Sequence, residues 1–248
     1  HARELIGILK AELTHLVESV PALKSAADEL LCWDGCSATA SAAAAIFHVF
    51  HHRLLINLLM PVLGEELFSA YVEILNQCIA PTQRILADPG SEWFAARSRA
   101  DLVAASLREA VSAISAKQGS DLSQWRWGEI HTLTMNHSLG RVPGLGQLLR
   151  IGPLATGGDG MTINMGFYRH SNPYDQTVGA SLRFLADLGP RNVLQWVLPS
   201  GQSGHPWSPH YRDQTPLWLN GQRIEERCAP GARRDVAGEL RLEPPPGL

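Results

Sequence analysis

Three side chains able to run acyl transfer sit close together near the end of the chain: Ser203, His210 and Asp213, within eleven residues. A serine hydroxyl becomes a nucleophile when a histidine takes its proton and a carboxylate orients that histidine. The local sequence argues against this chemistry here. A nucleophile elbow needs G-x-S-x-G between a strand and a helix. Gly201-Gln202-Ser203-Gly204-His205 carries its second Gly one position early and a His where that Gly belongs. Triad members also come from separate elements rather than from one short loop. The better reading is a structural loop bordering a cleft, tied by its own polar groups: Gln202, Ser203, His210, Tyr211, Asp213 and Gln214. On that reading those groups have buried partners, and truncating His210 would strand one.

The other chemical candidates have bland readings. Gly157-Gly158-Asp159-Gly160 lacks the following Lys-Ser/Thr of a phosphate loop and reads as a sharp turn ahead of a strand. His48, His51 and His52 share a helix at spacings of three and four, but H-E-x-x-H is absent and no third ligand lies nearby. They read as partly exposed helical histidines. His131 and His137 read as hydrogen-bonded structural groups. Cys32 and Cys36 flank Asp34-Gly35 without a second ligand pair, which does not make a zinc site. Trp125, Trp127, Trp196, Trp207 and Trp218 crowd the second half, where packing and rim anchoring are the default for Trp. The residues alone offer no complete catalytic apparatus and no metal site.

These residues must be held by something, and composition bounds what. The chain has 248 residues, 45% hydrophobic and 18% charged, with a net charge of -3. That excludes a disordered chain, and it removes the basic footprint of a nucleic-acid binder. The most apolar stretch, Ser41 to Met60, carries His48, His51, His52, Arg53 and Asn57, so it reads as a buried core helix and not a membrane span. The chain starts at His1 directly in a helical pattern, without a secretory leader, which suggests a piece of a longer protein.

The chain changes character near residue 120: residues 1–120 hold 5 Gly and 4 Pro, and residues 121–248 hold 17 and 12. A helical segment over 1–120, a strand-rich segment over 121–230 and a tail over 231–248 follow, giving an α+β fold. Leu5, Leu9, Leu13, Leu16, Val17 and Val20 form one apolar stripe, ended by Pro21. A second helix runs from Ala22 to Leu31, and Ser41 caps a third. Leu67, Tyr71, Ile74, Leu75 and Cys78 mark a fourth. Ser98 to Lys117 form the last, closed by Gly119. Alternation predicts strands over 130–135 and 161–165, then 180–188 and 193–198 joined through Gly189-Pro190-Arg191-Asn192. A short helix falls between Tyr211 and Leu219, before an Asn220-Gly221 turn.

Resemblance adds what spacing cannot. Trp125-Arg126-Trp127-Gly128-Glu129-Ile130-His131 resembles the W-x-W-G-x-x-H segment of the penicillin acylase family. The family's H-P-L stands here as His137-Ser138-Leu139. Gly157 to Thr162 follows, then Gly179-Ala180-Ser181-Leu182-Arg183 with Asp187. Pro199-Ser200-Gly201-Gln202-Ser203-Gly204-His205-Pro206, running into Ser208 to Gln214, is the strongest block. Upstream, Leu31 to Gly35 and Ser41-Ala42-Ala43 are similar to the family's helical insert.

The resemblance implies a four-layer αββα sandwich of N-terminal nucleophile hydrolases, made as a self-cleaving precursor and periplasmic or secreted. In such enzymes a chain-initial Ser attacks an amide, with its own α-amine as base, and an Asn side chain and a backbone N–H hold the oxyanion. The Ser, the Asn and the acids that bind calcium in the complete enzyme all lie upstream of the matching blocks. Ser171-Asn172-Pro173-Tyr174 resembles the nucleophile segment but is internal, in a loop, and has no free amine. No catalytic, substrate-binding or metal residue is therefore assigned here. The expected protein is the C-terminal portion of the nucleophile-bearing β chain of a hydrolase of penicillin-like or related N-acyl amides. Its partner would be the upstream half of the same precursor. The alternative is a non-catalytic binding or remnant module from a truncated gene.

Overall fold

The computed structural model describes residues 1–73, 78–189 and 193–227. The chain divides into two compact units, residues 1–180 and 181–248. The expected helix positions Ile74 and Leu75, the joint at 190–192, and the proline-rich tail lie outside the described residues.

The first unit opens with α1 (Ala2–Ile8) and α2 (Lys10–Ser19), which share the expected stripe and are separated at Leu9. Leu5, Leu9, Leu13 and Leu16 are buried. After α3 (Lys24–Cys32), the Ser41 hydroxyl accepts from Ala44 N at 3.0 Å and starts α4 (Ala42–Val72). The first four turns of α4 are apolar nearly all round and sit inside the unit, which is what such a helix requires. By length and composition α4 could span a membrane, yet its apolar window is mostly covered by protein. Pro61 removes one helical N–H, and Gly64 leaves helical geometry altogether (φ 76°), so the last turns form a separate arm. On that arm Phe68 and Val72 are buried and Leu67 is exposed, contrary to the expected stripe.

The short α5 (Ile79–Ala87) has no strong sequence signal, with Pro81 in its first turn. α6 (Arg99–Gln118) begins at the Ser98 cap and ends at Gly119 (φ 85°), and it packs along α4. A half-buried ion pair, Arg99 to Glu12 at 2.6 Å, ties it to α2.

Against α4 lies a four-stranded mixed sheet of β1 (Thr132–Met135), β2 (Ile151–Ala155), β3 (Gly166–Arg169) and β4 (Asn172–Gly179), in the order β2-β1-β4-β3. A one-turn helix, α7 (Leu145–Leu149), precedes β2. β1 pairs antiparallel with β2 (Thr132 opposite Ala155) and parallel with β4 (Thr132 opposite Asp175). β3 and β4 form a hairpin in which Arg169 pairs with Asn172. Two expectations fail here. Residues 161–165 make no strand, only a single bridge from Met165 to Asp159, because Asp159 and Thr162 spend their side chains bonding the local backbone. Ser171 to Tyr174 is not a loop: Asn172 already opens β4.

The second unit is a three-stranded antiparallel sheet, β5 (Arg183–Asp187), β6 (Val193–Val197) and β7 (Ile224–Arg227), in that order. The loop over 198–214 and α8 (Thr215–Leu219) connect β6 to β7. The Arg183 guanidinium lies over the Trp218 ring, 4.5 Å from its centroid, and donates to the Trp218 carbonyl. The protein is α+β, as composition indicates.

Candidate functional site

The richest polar constellation lies in the seam between α4 and the mixed sheet of the first unit. His48, His51 and His52 are all buried there, not partly exposed. A helix apolar on every side has no solvent face, so its histidines must find partners inside. The Ser37 hydroxyl donates to Asp159 Oδ2 at 3.0 Å and lies 3.0 Å from His48 Nε2. Since the hydroxyl has one proton, His48 Nε2–H donates to Ser37 Oγ. His48 Nδ1 then accepts from Tyr168 OH at 3.3 Å. Asp159 Oδ1 accepts from Met161 N at 2.6 Å. The result is one directed chain, Tyr168 to His48 to Ser37 to Asp159, joining the loop before α4, α4, the Gly157–Gly160 turn and β3.

Aromatic rings pack this chain on both sides. Trp127 stacks on His48 (4.2 Å) and on His131 (4.7 Å), and its indole N–H donates to the Gly158 carbonyl at 3.0 Å. His131 Nδ1–H donates to the Tyr174 carbonyl at 2.7 Å, while its buried Nε2 has no hydrogen-bond partner. That nitrogen faces Gly166, where an added Cβ would stand 2.8 Å from it and 2.8 Å from the Gly157 carbonyl. Gly158 is equally constrained: φ is 83°, and a Cβ would run into the Asn164 carbonyl. Tyr174 adopts φ 75°, rare for a side chain of its size. Its ring is held in the same seam, 5.5 Å from Tyr168 and 5.8 Å from His52.

Burial sets the charge state of these groups. Desolvation lowers His48 to about 4, only partly opposed by the Asp159 carboxylate. At pH 7 the 3.4 Å approach of His48 to Asp159 is therefore between a neutral imidazole and a carboxylate, not an ion pair. Desolvation also lowers His51, His52 (to about 4), His131 and His170 (to about 3), and it raises Tyr168 and Tyr174. Ser37, His48 and Asp159 are the types of a catalytic triad in the wrong arrangement. A triad needs the acid on Nδ1 and an outward-facing serine. Here the acid takes the serine's own proton, Nδ1 faces a tyrosine, and all three groups are buried. The network fastens loops to the core.

The loop singled out in the sequence lies in the second unit. Ser203 and His210 meet only through the backbone, Ser203 N donating to His210 O at 3.0 Å. The Ser203 hydroxyl accepts from His205 N at 3.1 Å. His210 Nδ1 donates to Asp213 Oδ2 at 2.9 Å, and that pair is exposed. Gln202 is exposed, and Ser203 and Tyr211 are half-buried. The buried anchors are Gln214, whose Oε1 accepts from Leu198 N at 2.9 Å and whose N–H reaches Ser200 O, and Thr215, whose hydroxyl donates to Pro199 O. The expectation that truncating His210 strands a buried partner is thus corrected: Gln214 occupies that role.

Sequence reasoning missed Ser37, Tyr168, His170 and Tyr174, and it took Asp159 only as a turn residue. The partners are far apart in the chain, 122 residues for Ser37 and Asp159. The local signal that existed was the Trp127-to-His131 spacing of four, which the ring stacking uses. Cys32 and Cys36 are exposed free thiols, and among the described residues no three His, Cys, Asp or Glu side chains come together as a metal site.

In this mixed α+β chain the W-x-W-G-x-x-H segment, the double-glycine turn and the P-S-G-Q-S-G loop are all structural anchors. The sequence profile of the penicillin amidase family matches residues 2–234, and the chain belongs to that family. It is 30% identical over 234 residues to an acyl-homoserine lactone acylase of Pseudomonas fluorescens (strain Pf0-1), covering 90% of this chain and 28% of that protein. It is 29% identical over 241 residues to the acyl-homoserine lactone acylase of Pseudomonas aeruginosa, covering 88% and 28%. Penicillin acylase 2 proenzyme of Pseudomonas sp. (strain SE83) is 31% identical over 222 residues, covering 86% and 28%. Among solved structures, a thermostable penicillin G acylase from Alcaligenes faecalis shares 18% identity at a TM-score of 0.49, over 95% of this chain and 46% of that one. The chain thus spans just over a quarter of the length of these curated relatives.

Proposed function

We propose that this chain is the C-terminal portion of the nucleophile-bearing chain of an amidohydrolase. The complete enzyme would cleave the acyl side-chain amide of penicillin-like β-lactams or related N-acyl compounds, acyl-homoserine lactones among them. The observation that carries this is the family match over residues 2–234 to acylases of which the chain spans 28%. In this reading the nucleophile is a chain-initial Ser upstream. Its α-amine, with an ordinary pKa of about 8, takes the hydroxyl proton near neutral pH. The proenzyme name of one relative supports a processed precursor with the upstream part as partner. Phe184 (56% exposed) and Leu185 (51%) on β5 support further polypeptide covering that strand. The same reading places the enzyme in the periplasm or outside the cell. It also places any calcium of the complete enzyme on upstream acids.

The test is complementation. The chain is assayed against phenylacetyl-amide and fatty-acyl-homoserine lactone substrates, alone and co-expressed with the upstream portion of the acyl-homoserine lactone acylase of P. fluorescens. No turnover alone and turnover on complementation are expected. Turnover by the chain alone, or none with a complement that demonstrably binds it, overturns the proposal.

A further inference from the structure

One contact in the seam of the first unit joins two titratable groups directly. His52 Nδ1 and His170 Nδ1 lie 3.1 Å apart, with the rings parallel to within 3°. His170 and Ser171 form the turn of the β3–β4 hairpin, and His52 sits in the third turn of α4. The contact therefore fastens the tip of the hairpin to the core helix. Two neutral imidazoles make it, one donating its Nδ1–H and the other accepting. A first added proton settles on the outer Nε2 of the donating ring and leaves the bond intact. A second has only the accepting Nδ1 to go to, and two N–H groups then face each other across the same gap.

Among the described residues no carboxylate pairs with either ring. On α4, Arg53 follows His52, and His51 packs edge-on to His170 with centroids 5.5 Å apart. His48 lies one turn before His52. From the start of α1, His1 packs edge-on to His51 at 5.2 Å. From the hairpin come the neutral phenols Tyr168, 5.5 Å from the His170 ring, and Tyr174. Asp159 serves His48, and Asp175 faces His131. Glu73, near the hairpin, is engaged by Arg169 at 3.1 Å. Burial, then Arg53, lowers His52 to about 4; burial, then His52 and His48, lowers His170 to about 3.

We propose that the His52–His170 pair is an acid-sensitive latch, whose uptake of two protons releases the β3–β4 hairpin from α4 while the helices stay packed. Below the release pH the closed contact holds two like charges, His52 on α4 and His170 on the hairpin, in a core that cannot pair them, and local opening relieves both at once. The packing of α3 and α6 on α4, and of α2 on α3 and α6, does not involve the pair.

The test is hydrogen exchange from pH 7 to 3.5 on the full chain, corrected for the intrinsic pH dependence of amide exchange. It follows peptides over 166–179 and 99–118. The hairpin is expected to lose protection in one step that takes up about two protons, while α6 stays protected to about half a pH unit lower. His170→Asn keeps a hydrogen-bonding group where Nδ1 stands and cannot take the second proton. Its step should move down by about one pH unit and take up about one proton. The same step in both proteins, or simultaneous loss in hairpin and α6, overturns the latch. If His170→Asn does not fold, nitrogen NMR of the wild-type histidines decides. His52 and His170 titrating together at hairpin release supports the latch; independent titration near pH 6.5 with the hairpin still protected overturns it.

Discussion

Removing the Asp159 carboxylate tests how the polar chain in the seam is wired. In Asp159→Ala two donors lose their acceptor: the Ser37 hydroxyl at 3.0 Å and Met161 N–H at 2.6 Å. Met161 is half-exposed, so water can reach its amide, whereas Ser37 is buried. A hydrogen bond to a charged group contributes about 1.5–3 kcal/mol, and a stranded buried donor costs about 1–3 kcal/mol. The expected loss is about 2–4 kcal/mol. Asp159→Asn behaves differently, because the chain can run backwards. The Asn Oδ1 keeps Met161 N–H, and its amide N–H donates to Ser37. Ser37 then donates to His48 Nε2, and His48 Nδ1–H donates to Tyr168. Every group keeps at least one bond, while charge assistance and the acceptor of the buried Tyr168 O–H are lost, so a smaller loss of about 1–2 kcal/mol is expected. Urea unfolding gives the two stabilities, and nitrogen NMR gives the His48 tautomer, Nε2–H in the wild type and Nδ1–H in Asp159→Asn. Equal losses in the two variants, or an unchanged tautomer in Asp159→Asn, would refute the wiring.

Three further outcomes follow from the same geometry. In the second unit Gln214→Ala should cost about 1–3 kcal/mol by stranding Leu198 N–H, whereas His210→Ala, which breaks an exposed pair, should cost less than about 1 kcal/mol; urea midpoints rank them, and the reverse order contradicts the anchoring described. Gly166→Ala should destabilise the first unit by about 1–3 kcal/mol, because its Cβ meets the His131 ring and the Gly157 carbonyl; an unchanged melting temperature would show that the seam can give. Stability should be greatest above pH 6.5 and fall as pH drops, because the unfolded chain binds protons at the ordinary histidine value while folded His48 and His52 decline them until about pH 4. Each contributes a slope of up to about 1.4 kcal/mol per pH unit in that window, and a stability maximum near pH 5 would contradict the burial of these rings.

The fold was legible where local chemistry decides it. Ser41, Ser98 and Gly119 mark helix ends by capping, and the stripe from Leu5 to Leu16 marks a buried face; all are where spacing puts them. Residues 161–165 alternate like a strand and are not one, because Asp159 and Thr162 bind the backbone that a strand would have offered to a neighbour. The histidines of α4 were misread for a related reason. Polarity suggests a wet face, but the first four turns of the helix are apolar nearly all round, and tertiary packing leaves those histidines no wet face to use. Their partners Tyr168 and His170 come from β3 and the hairpin turn, 120 and 118 residues further on, and Ser37 from the loop 11 residues before His48, and no periodicity links them. The P-S-G-Q-S-G loop was legible as a tied loop, although which group anchors it was not. His210 and Gln214 are both polar, and only burial separates them.

The central claim is that the family's chemistry lies outside this chain. It is tested most directly by trapping the acyl-enzyme in the complemented enzyme and locating the adduct by peptide mass spectrometry. The account predicts an acyl group on the chain-initial Ser of the upstream part and none on these 248 residues. An adduct on Ser203, Ser37 or any other residue of this chain would contradict it.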